Sequence, residues 1–308
     1  MRLSDLLTRK LVTARRVFES GGAKGILIVL ERKLSPALQF LRPGRLRAEF
    51  EDWCQREHWW VGLIVVMRGD VVAVESCSFC VRHPAITTSM KSPFFLGGYE
   101  RTERALLKEY LNRTIGVIEL GGSVGVLACL TNKMLKNPHK HVVVEANPDL
   151  ISLLQDSRER NGCRFSVLNR AVAYGSEETT FYQDVRDFLG SSVHVKTAKS
   201  VTVPTTNIRR IIEDYDFDRC TLICDIEGGE MDLVKYESDV LRKHVETMIV
   251  EIHGWRVGQE RADEMIDALE RTGFSRVYEK GATSVFRNRG LGPRTSPALM
   301  NPDAACSG

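Results

Sequence analysis

The stretch "LICDIEGGEMDLV" (Leu222–Val234) sets three carboxylates around two glycines. An apolar run ends in Asp225, and Glu227, Gly228, Gly229 and Glu230 follow. A second stretch, "VEIH", brings Glu251 and His253 two residues apart. Carboxylates and an imidazole at strand ends can orient a polar group, take its proton or hold a cation. Alternation along a strand points Glu251 and His253 to the same side. His253 titrates near neutrality and is the candidate general base. Asp225 is the candidate for orienting an acceptor or a bound cation. Glu227 faces the pocket or braces the loop. Glu230 reads as a helix-start acid, favoured by the positive end of the dipole. A divalent metal on Asp225, Glu227, Glu251 and His253 is compatible with these residue types. Spacing alone does not establish it, and no metal ligand is assigned.

A second cluster lies upstream. In "VIELGGSVGV", Glu119 stands near a strand end, and Gly121, Gly122 and Gly125 follow. Glycines here permit a tight strand-to-helix turn and close approach of a ligand to bare backbone. The pattern is not the G-x-G-x-x-G that seats a pyrophosphate. Glu145 ends the next strand, 20 residues after Gly125, where an acid can accept two hydrogen bonds from a ribose diol. Turn and acid together describe a nucleoside-containing cofactor at the carboxyl edge of a sheet. Glu119 would repel phosphates and suit a cation. S-adenosylmethionine has a ribose, an amino group and a sulfonium but no phosphate, so it fits better than NAD.

These residues need a scaffold that brings strand ends together. From Thr114 the chain alternates strand and helix: "TIGVIEL", "SVGVLACLTNKML", "HVVVEA", "NPDLISLLQDSRERNG", "RFSVLNRAVA". Asn147 marks an N-cap, Pro148 a first turn and Gly162 a stop. A β-rich insertion with "ETTFY" and "SVTVPT" follows, then helix "NIRRIIEDY", strand "TLICDI", a short helix from Glu230, strand "ETMIVEIH", helix "QERADEMIDALERTG" and a closing antiparallel pair. Such alternation predicts a parallel sheet covered on both faces. Before it, "WWVGLIVVMRGDVVAVESCSFCV" predicts a hairpin around Gly69-Asp70. After Arg289 a Pro-, Ser- and Ala-rich tail reads as disordered.

Composition narrows the class. With 308 residues, 43% of them hydrophobic, the chain can bury a full core. A net charge of +3 excludes a nucleic-acid-coating protein. Eleven basic and four acidic residues up to Phe50 put +7 on the leader, leaving −4 for the rest. A solvated helical face is the expected meaning, and weak membrane-surface contact through residues 1–50 is compatible with it. No apolar run spans a bilayer or forms a signal-peptide core, so a cytoplasmic protein is expected. Cys77-x-x-Cys80 with His83 lacks the second ligand pair of a zinc site. Trp59, Trp60, Phe94, Phe95 and Tyr99 are expected in the core.

Taken together, Tyr99-Glu100, "VIELGGSVG", "VEANP", "NRAVA", "CDIEGGE" and "VEIH" resemble the FkbM family of methyltransferases from about Gly97 to Arg287. "DIEGGE" followed by "VEIH" is the most specific part. The resemblance implies an α/β, Rossmann-like class I methyltransferase fold, with a mostly parallel seven-stranded sheet, helices on both faces and an N-terminal accessory region. Its bounds are 1–96 for the accessory region, 97–289 for the methyltransferase domain and 290–308 for the tail. It implies S-adenosylmethionine bound by Glu119, Gly121, Gly122, Ser123, Gly125, Glu145, Asn147, Ala171 and Asp225. It also implies O-methylation of a sugar, glycan or secondary metabolite, a small-molecule or glycan partner and no nucleic acid. N-methylation on the same fold, or a non-catalytic cofactor-binding module, are the alternatives. Where relatives carry Leu-Asp-Asp this chain has Ile208-Arg209-Arg210, expected to make surface salt bridges.

Overall fold

The computed structural model describes residues 52–183 and 199–291. The basic leader, most of the β-rich insertion and the tail lie outside them. The chain divides into two units, Met1–Arg56 and Glu57–Gly308. The three sheets of the described residues belong to the second.

It opens with helix α1 (Trp59–Met67), strands β1 (Val71–Val74) and β2 (Cys77–Cys80), and helices α2 (Lys91–Leu96) and α3 (Arg101–Tyr110). The first half of the sheet follows as β3 (Gly116–Leu120), α4 (Val126–Met134), β4 (His141–Glu145), α5 (Pro148–Arg160) and β5 (Ser166–Asn169). A small three-stranded sheet is made of β6 (Ala171–Val172), β7 (Glu178–Gln183) and β8 (Lys199–Thr206). The second half contains α6 (Ile208–Tyr215), β9 (Cys220–Cys224), α7 (Glu230–His244), β10 (Val245–Glu251), α8 (Gly254–Val257), α9 (Gln259–Thr272), β11 (Phe274–Lys280) and β12 (Thr283–Asn288).

The main sheet has seven strands in the order β11-β12-β10-β9-β3-β4-β5. From β10 to β5 every pair is parallel, and β12 is antiparallel to both β10 and β11. β3, β4 and β9 are buried at every residue, which is why they read as unbroken apolar runs. Ile118 and Leu120 face a core shared with α6, α7 and α9. Val117 faces the opposite way, with Leu106, Leu107 and Leu127. The strand order reverses between β3 and β9, where open α/β sheets bind ligands.

Three expectations need correction. "WWVGLIVVM" is a helix, not a strand. Val61, Gly62 and Val65 pack inward, and Trp59 is 65% exposed rather than in the core. A run that is apolar on every side carries no period to separate helix from strand. The hairpin therefore forms later, between β1 and β2, and Gly69-Asp70 is the turn from α1 into β1. The helix from Glu230 is also longer than expected: α7 has 15 residues and a non-helical Glu237 inside it.

That kink carries a structural anchor. Glu237 is 3% exposed, and its carboxylate accepts from Ile208 N at 2.8 Å, Arg209 N at 2.9 Å and Tyr174 Oη at 2.8 Å. It thereby satisfies the free N–H groups at the start of α6. Glu237→Ala leaves three donors without this acceptor, the Ile208 N–H fully buried and the other two partly so. A loss of roughly 3 kcal/mol or more is expected in urea unfolding; an unchanged midpoint would contradict the anchor. Arg209 pairs with Asp239 and Arg210 with Glu177 on the surface, as expected. No helix among the described residues is long and apolar enough to cross a membrane.

Candidate active site

The strand ends at the reversal point build the site. Beyond β3, Gly121 N and Gly122 N turn to Val144 O on β4 at 2.9 and 3.1 Å. Beyond β9, Asp225 N stays with Leu120 O on β3 at 2.9 Å. The two chains part there, and a cavity of about 270 Å³ opens between them. Gly121 has φ +91°, and a Cβ on it would lie 1.9 Å from Asp225 O. Only glycine fits that close approach.

Glu145 holds the turn from the other side. Its Oε2 accepts from Ser123 N and its Oε1 from Asn147 N, both at 2.7 Å. Burial pushes its pKa up, and the N–H groups of Asn147, Ser123 and Ala146 oppose that. Asn147 caps α5 through Asp149 N, and its Oδ1 also accepts from Gln183 Nε2. Its buried Nδ2 has no hydrogen-bond partner, so a donor is left over beside the cavity. A bare glycine turn, a carboxylate with spare lone pairs and a leftover amide donor fit a ribose and its base.

At the other end, Asp225, Glu227 and Glu251 line the wall. The register Cys224↔Val250 makes Asp225 and Glu251 neighbours across β9 and β10. Glu227 adopts φ +55° and Gly228 +108°, and Glu230 closes their loop by accepting from Ile226 N and Gly228 N at 3.0 Å each. Two glycines among three acids therefore form a tight loop clamped by the third. His253 sits behind the wall, 2% exposed, with Nδ1 3.1 Å from Glu230 Oε1. Its Nε2 is 3.2 Å from Glu227, 3.6 Å from Asp225 and 3.9 Å from Glu251. Arg256 pairs with Glu227 at 2.7 Å.

Burial pushes Asp225, Glu227 and Glu251 up to about 7, and their mutual repulsion adds to it against the pull of His253. Burial alone would lower His253, but the Glu230 hydrogen bond and the charges of Glu230, Glu227 and Asp225 outweigh it and raise the pKa to about 9.

Of the expected residues, Gly121, Ser123, Glu145, Asn147, Ala171, Asp225, Glu227 and Glu251 line one cavity. Gly122 and Gly125 instead pack against Leu154. Glu119, expected to face the cofactor, is 1% exposed and lies beneath the turn, with Oε2 3.4 Å from His141 Nε2. Strand alternation puts it on the face of Val117. Three charged lining residues were not foreseen as site residues: Glu100, Glu103 and Arg170. Glu100 and Glu103 resemble ordinary first-turn acids of a helix. The turn that aims Glu100 inward needs φ +48°, and its Oε2 accepts from Leu127 N at 3.1 Å. Tyr99, expected only as core, does stack on Phe94, but it also lines the cavity and places its hydroxyl 3.2 Å from Ser123 Oγ.

Glu119 and His141 make a separate prediction. Asn132 Nδ2, a donor, faces His141 Nδ1 at 3.3 Å, which leaves the ring proton on Nε2, toward Glu119. Burial raises Glu119 to about 8 and lowers His141 to about 3, so both are neutral in the fold. A carboxyl raised from 4.5 stabilises fully below that pH, and the contribution is lost as pH rises to 8. The histidine acts in the opposite direction, costing stability as pH falls below 6.5. Glu119→Gln keeps the shape and removes the first branch. Between pH 5 and 8 the wild type should lose about 1.4 kcal/mol per unit relative to this variant, or a few kcal/mol in all. Parallel urea curves at both pH values would contradict it.

The model of the methyltransferase FkbM domain matches residues 119–276, just over half of the chain. The chain belongs to the FkbM family. This FkbM protein is therefore an S-adenosylmethionine-dependent methyltransferase with a Rossmann-like fold. Solved structures similar to it include ribosomal protein L11 methylase from Lactobacillus delbrueckii subsp. bulgaricus, 13% identical, covering 62% of this chain and 81% of that one, with TM-score 0.36. A methyltransferase from Pyrococcus furiosus is 13% identical over 62% of this chain and 82% of that one, with TM-score 0.35. Aeropyrum pernix fibrillarin, solved with natively bound S-adenosyl-L-methionine, is 14% identical over 60% and 73%, with TM-score 0.34. A comparison with curated proteins finds no match.

Proposed function

We propose that this FkbM methyltransferase methylates a hydroxyl of a small neutral acceptor of the sugar, glycan or secondary-metabolite class. The observation that carries the reading is the convergence of Asp225, Glu227 and Glu251 on one end of the cavity that Glu145 and Asn147 line at the other. Gly121, Ser123, Glu145, Asn147 and Ala171 hold the nucleoside end of the cofactor. Gly122 and Gly125 shape the turn, and Glu119 supports it from beneath. S-adenosylmethionine supplies an electrophilic methyl group when bound.

The acceptor hydroxyl must be aligned and must lose its proton around the time of attack. Asp225 and Glu251, side by side at two strand ends, can accept hydrogen bonds from it and hold it in line. Glu227 can receive the proton. His253 lies behind these carboxylates rather than on the wall, so the carboxylates take over the base role expected of it, and His253 positions them. The same wall argues against an amine acceptor. A carboxylate ring stabilises the ammonium form, which lacks the lone pair that attacks. It argues against nucleic acid as well: among the lining residues Arg170 alone is basic, against six carboxylates.

The test is transfer of labelled methyl from S-adenosylmethionine to hydroxylated acceptors and to their amine analogues. Methylation of hydroxyls is expected. Glu227→Gln should lower kcat by about 10²–10⁴, and Asp225→Asn and Glu251→Gln by about 10² each, while cofactor affinity is kept. Transfer to amines alone would overturn the reading.

A further inference from the structure

We propose that Asp225, Glu251 and His253 form a binding site for one divalent cation of the Mg²⁺ or Mn²⁺ kind. Its role rests on the hydroxyl reading above; its existence does not. One ligand atom from each residue lies within 4.8 Å of the others. His253 Nε2 is 3.6 Å from Asp225 Oδ1 and 3.9 Å from Glu251 Oε1. A point equidistant from three atoms so spaced is about 2.4 Å or less from each, so side-chain shifts of a few tenths of an ångström at most bring all three to the roughly 2.0–2.1 Å of Mg²⁺.

Two independent features aim these atoms at a common centre. The first is the setting of His253, whose side chain is 3% exposed. Glu230 accepts from two backbone N–H groups and faces Nδ1 at 3.1 Å. An imidazole that donates from Nδ1 turns its other nitrogen toward the wall, as when a carboxylate orients a metal-bound histidine. The second is Asp225 Oδ1, a buried oxygen without a hydrogen-bond partner. Such an oxygen is costly unless something positive meets it. Without an ion, the imidazolium of His253 at 3.6 Å is the positive group that meets it. Arg256 covers Glu227 at 2.7 Å; a cation would serve Asp225 and Glu251 in the same way. Two carboxylates and one imidazole suit Mn²⁺, with Mg²⁺ as a competitor. The ion takes the place of the proton on Nε2. Placed there, it would hold the acceptor hydroxyl at the wall and lower its pKa, leaving Glu227 outside the ligand set.

The test uses the full chain in chelator-treated buffer, titrated with Mn²⁺ alone by calorimetry and by electron paramagnetic resonance. One equivalent should bind, Mg²⁺ should compete, and His253→Ala and Glu251→Gln should each weaken binding at least about tenfold. Retained affinity of both variants for S-adenosylhomocysteine shows that they are folded. No Mn²⁺ uptake by the wild type, or equal uptake by the variants, overturns the proposal. Hydroxyl methylation at full rate in EDTA overturns the ion's role in the reaction and leaves the hydroxyl reading standing. Mn²⁺ uptake with transfer to amines alone retains the metal and rejects the hydroxyl reading.

Discussion

Glu145→Ala is expected to weaken S-adenosylmethionine binding by at least about 100-fold, because it removes charge-assisted hydrogen bonds worth about 1.5–3 kcal/mol each. The carboxylate is 6% exposed and does two jobs. It holds Ser123 N and Asn147 N at 2.7 Å, which fixes the glycine turn relative to α5. In the proposed reading its spare lone pairs accept from a ribose diol. Alanine loses both and leaves two backbone donors unsatisfied. Glu145→Gln separates the two jobs, since one oxygen stays an acceptor while the other becomes a donor facing an N–H group. Calorimetric titration should rank wild type, Gln and Ala in that order. Equal affinity in wild type and Ala would remove Glu145 from the cofactor site.

Gly121→Ala should be nearly as damaging, but for a steric reason. Its Cβ would lie 1.9 Å from the carbonyl of Asp225, at φ +91° where side chains are strained. Relief requires β3 and β9 to part at their ends, which moves Asp225 by an ångström or more. A shift of that size costs on the order of 10²-fold in rate when alignment carries the chemistry. The expected result is a folded protein with a kcat lowered about 10²-fold and a lower melting temperature. Wild-type kcat would show that the strand ends tolerate separation and that Asp225 need not be held where it is.

Much of this site is legible in the sequence because parallel strands buried on both faces leave a clear signature. "TIGVIEL", "HVVVEA" and "TLICDI" are continuous apolar runs that end in acids or glycines, and those ends meet at one edge. The neighbour relation of Asp225 and Glu251 then follows from strand order and register. Other features depend on packing that no local pattern records. Trp59–Met67 is apolar on all sides, so only its tertiary contacts make it a helix. The β1–β2 turn contains Glu75 at φ +53° and lacks an Asn-Gly or Asp-Gly signal. Glu100 looks like a solvent-facing helix-start acid until its backbone turns it inward. Glu119 follows the opposite course: its type suggests a cation site, but alternation along β3 sends it toward His141.

The central claim is that one cavity holds the nucleoside on Glu145 and presents the reacting end to Asp225 and Glu251. A crystal structure of the full chain with S-adenosylhomocysteine tests it most directly. The account predicts the ribose hydroxyls on the Glu145 carboxylate and the sulfur facing the Asp225–Glu251 wall. A ribose bound away from Glu145, or a sulfur turned away from those carboxylates, would contradict it.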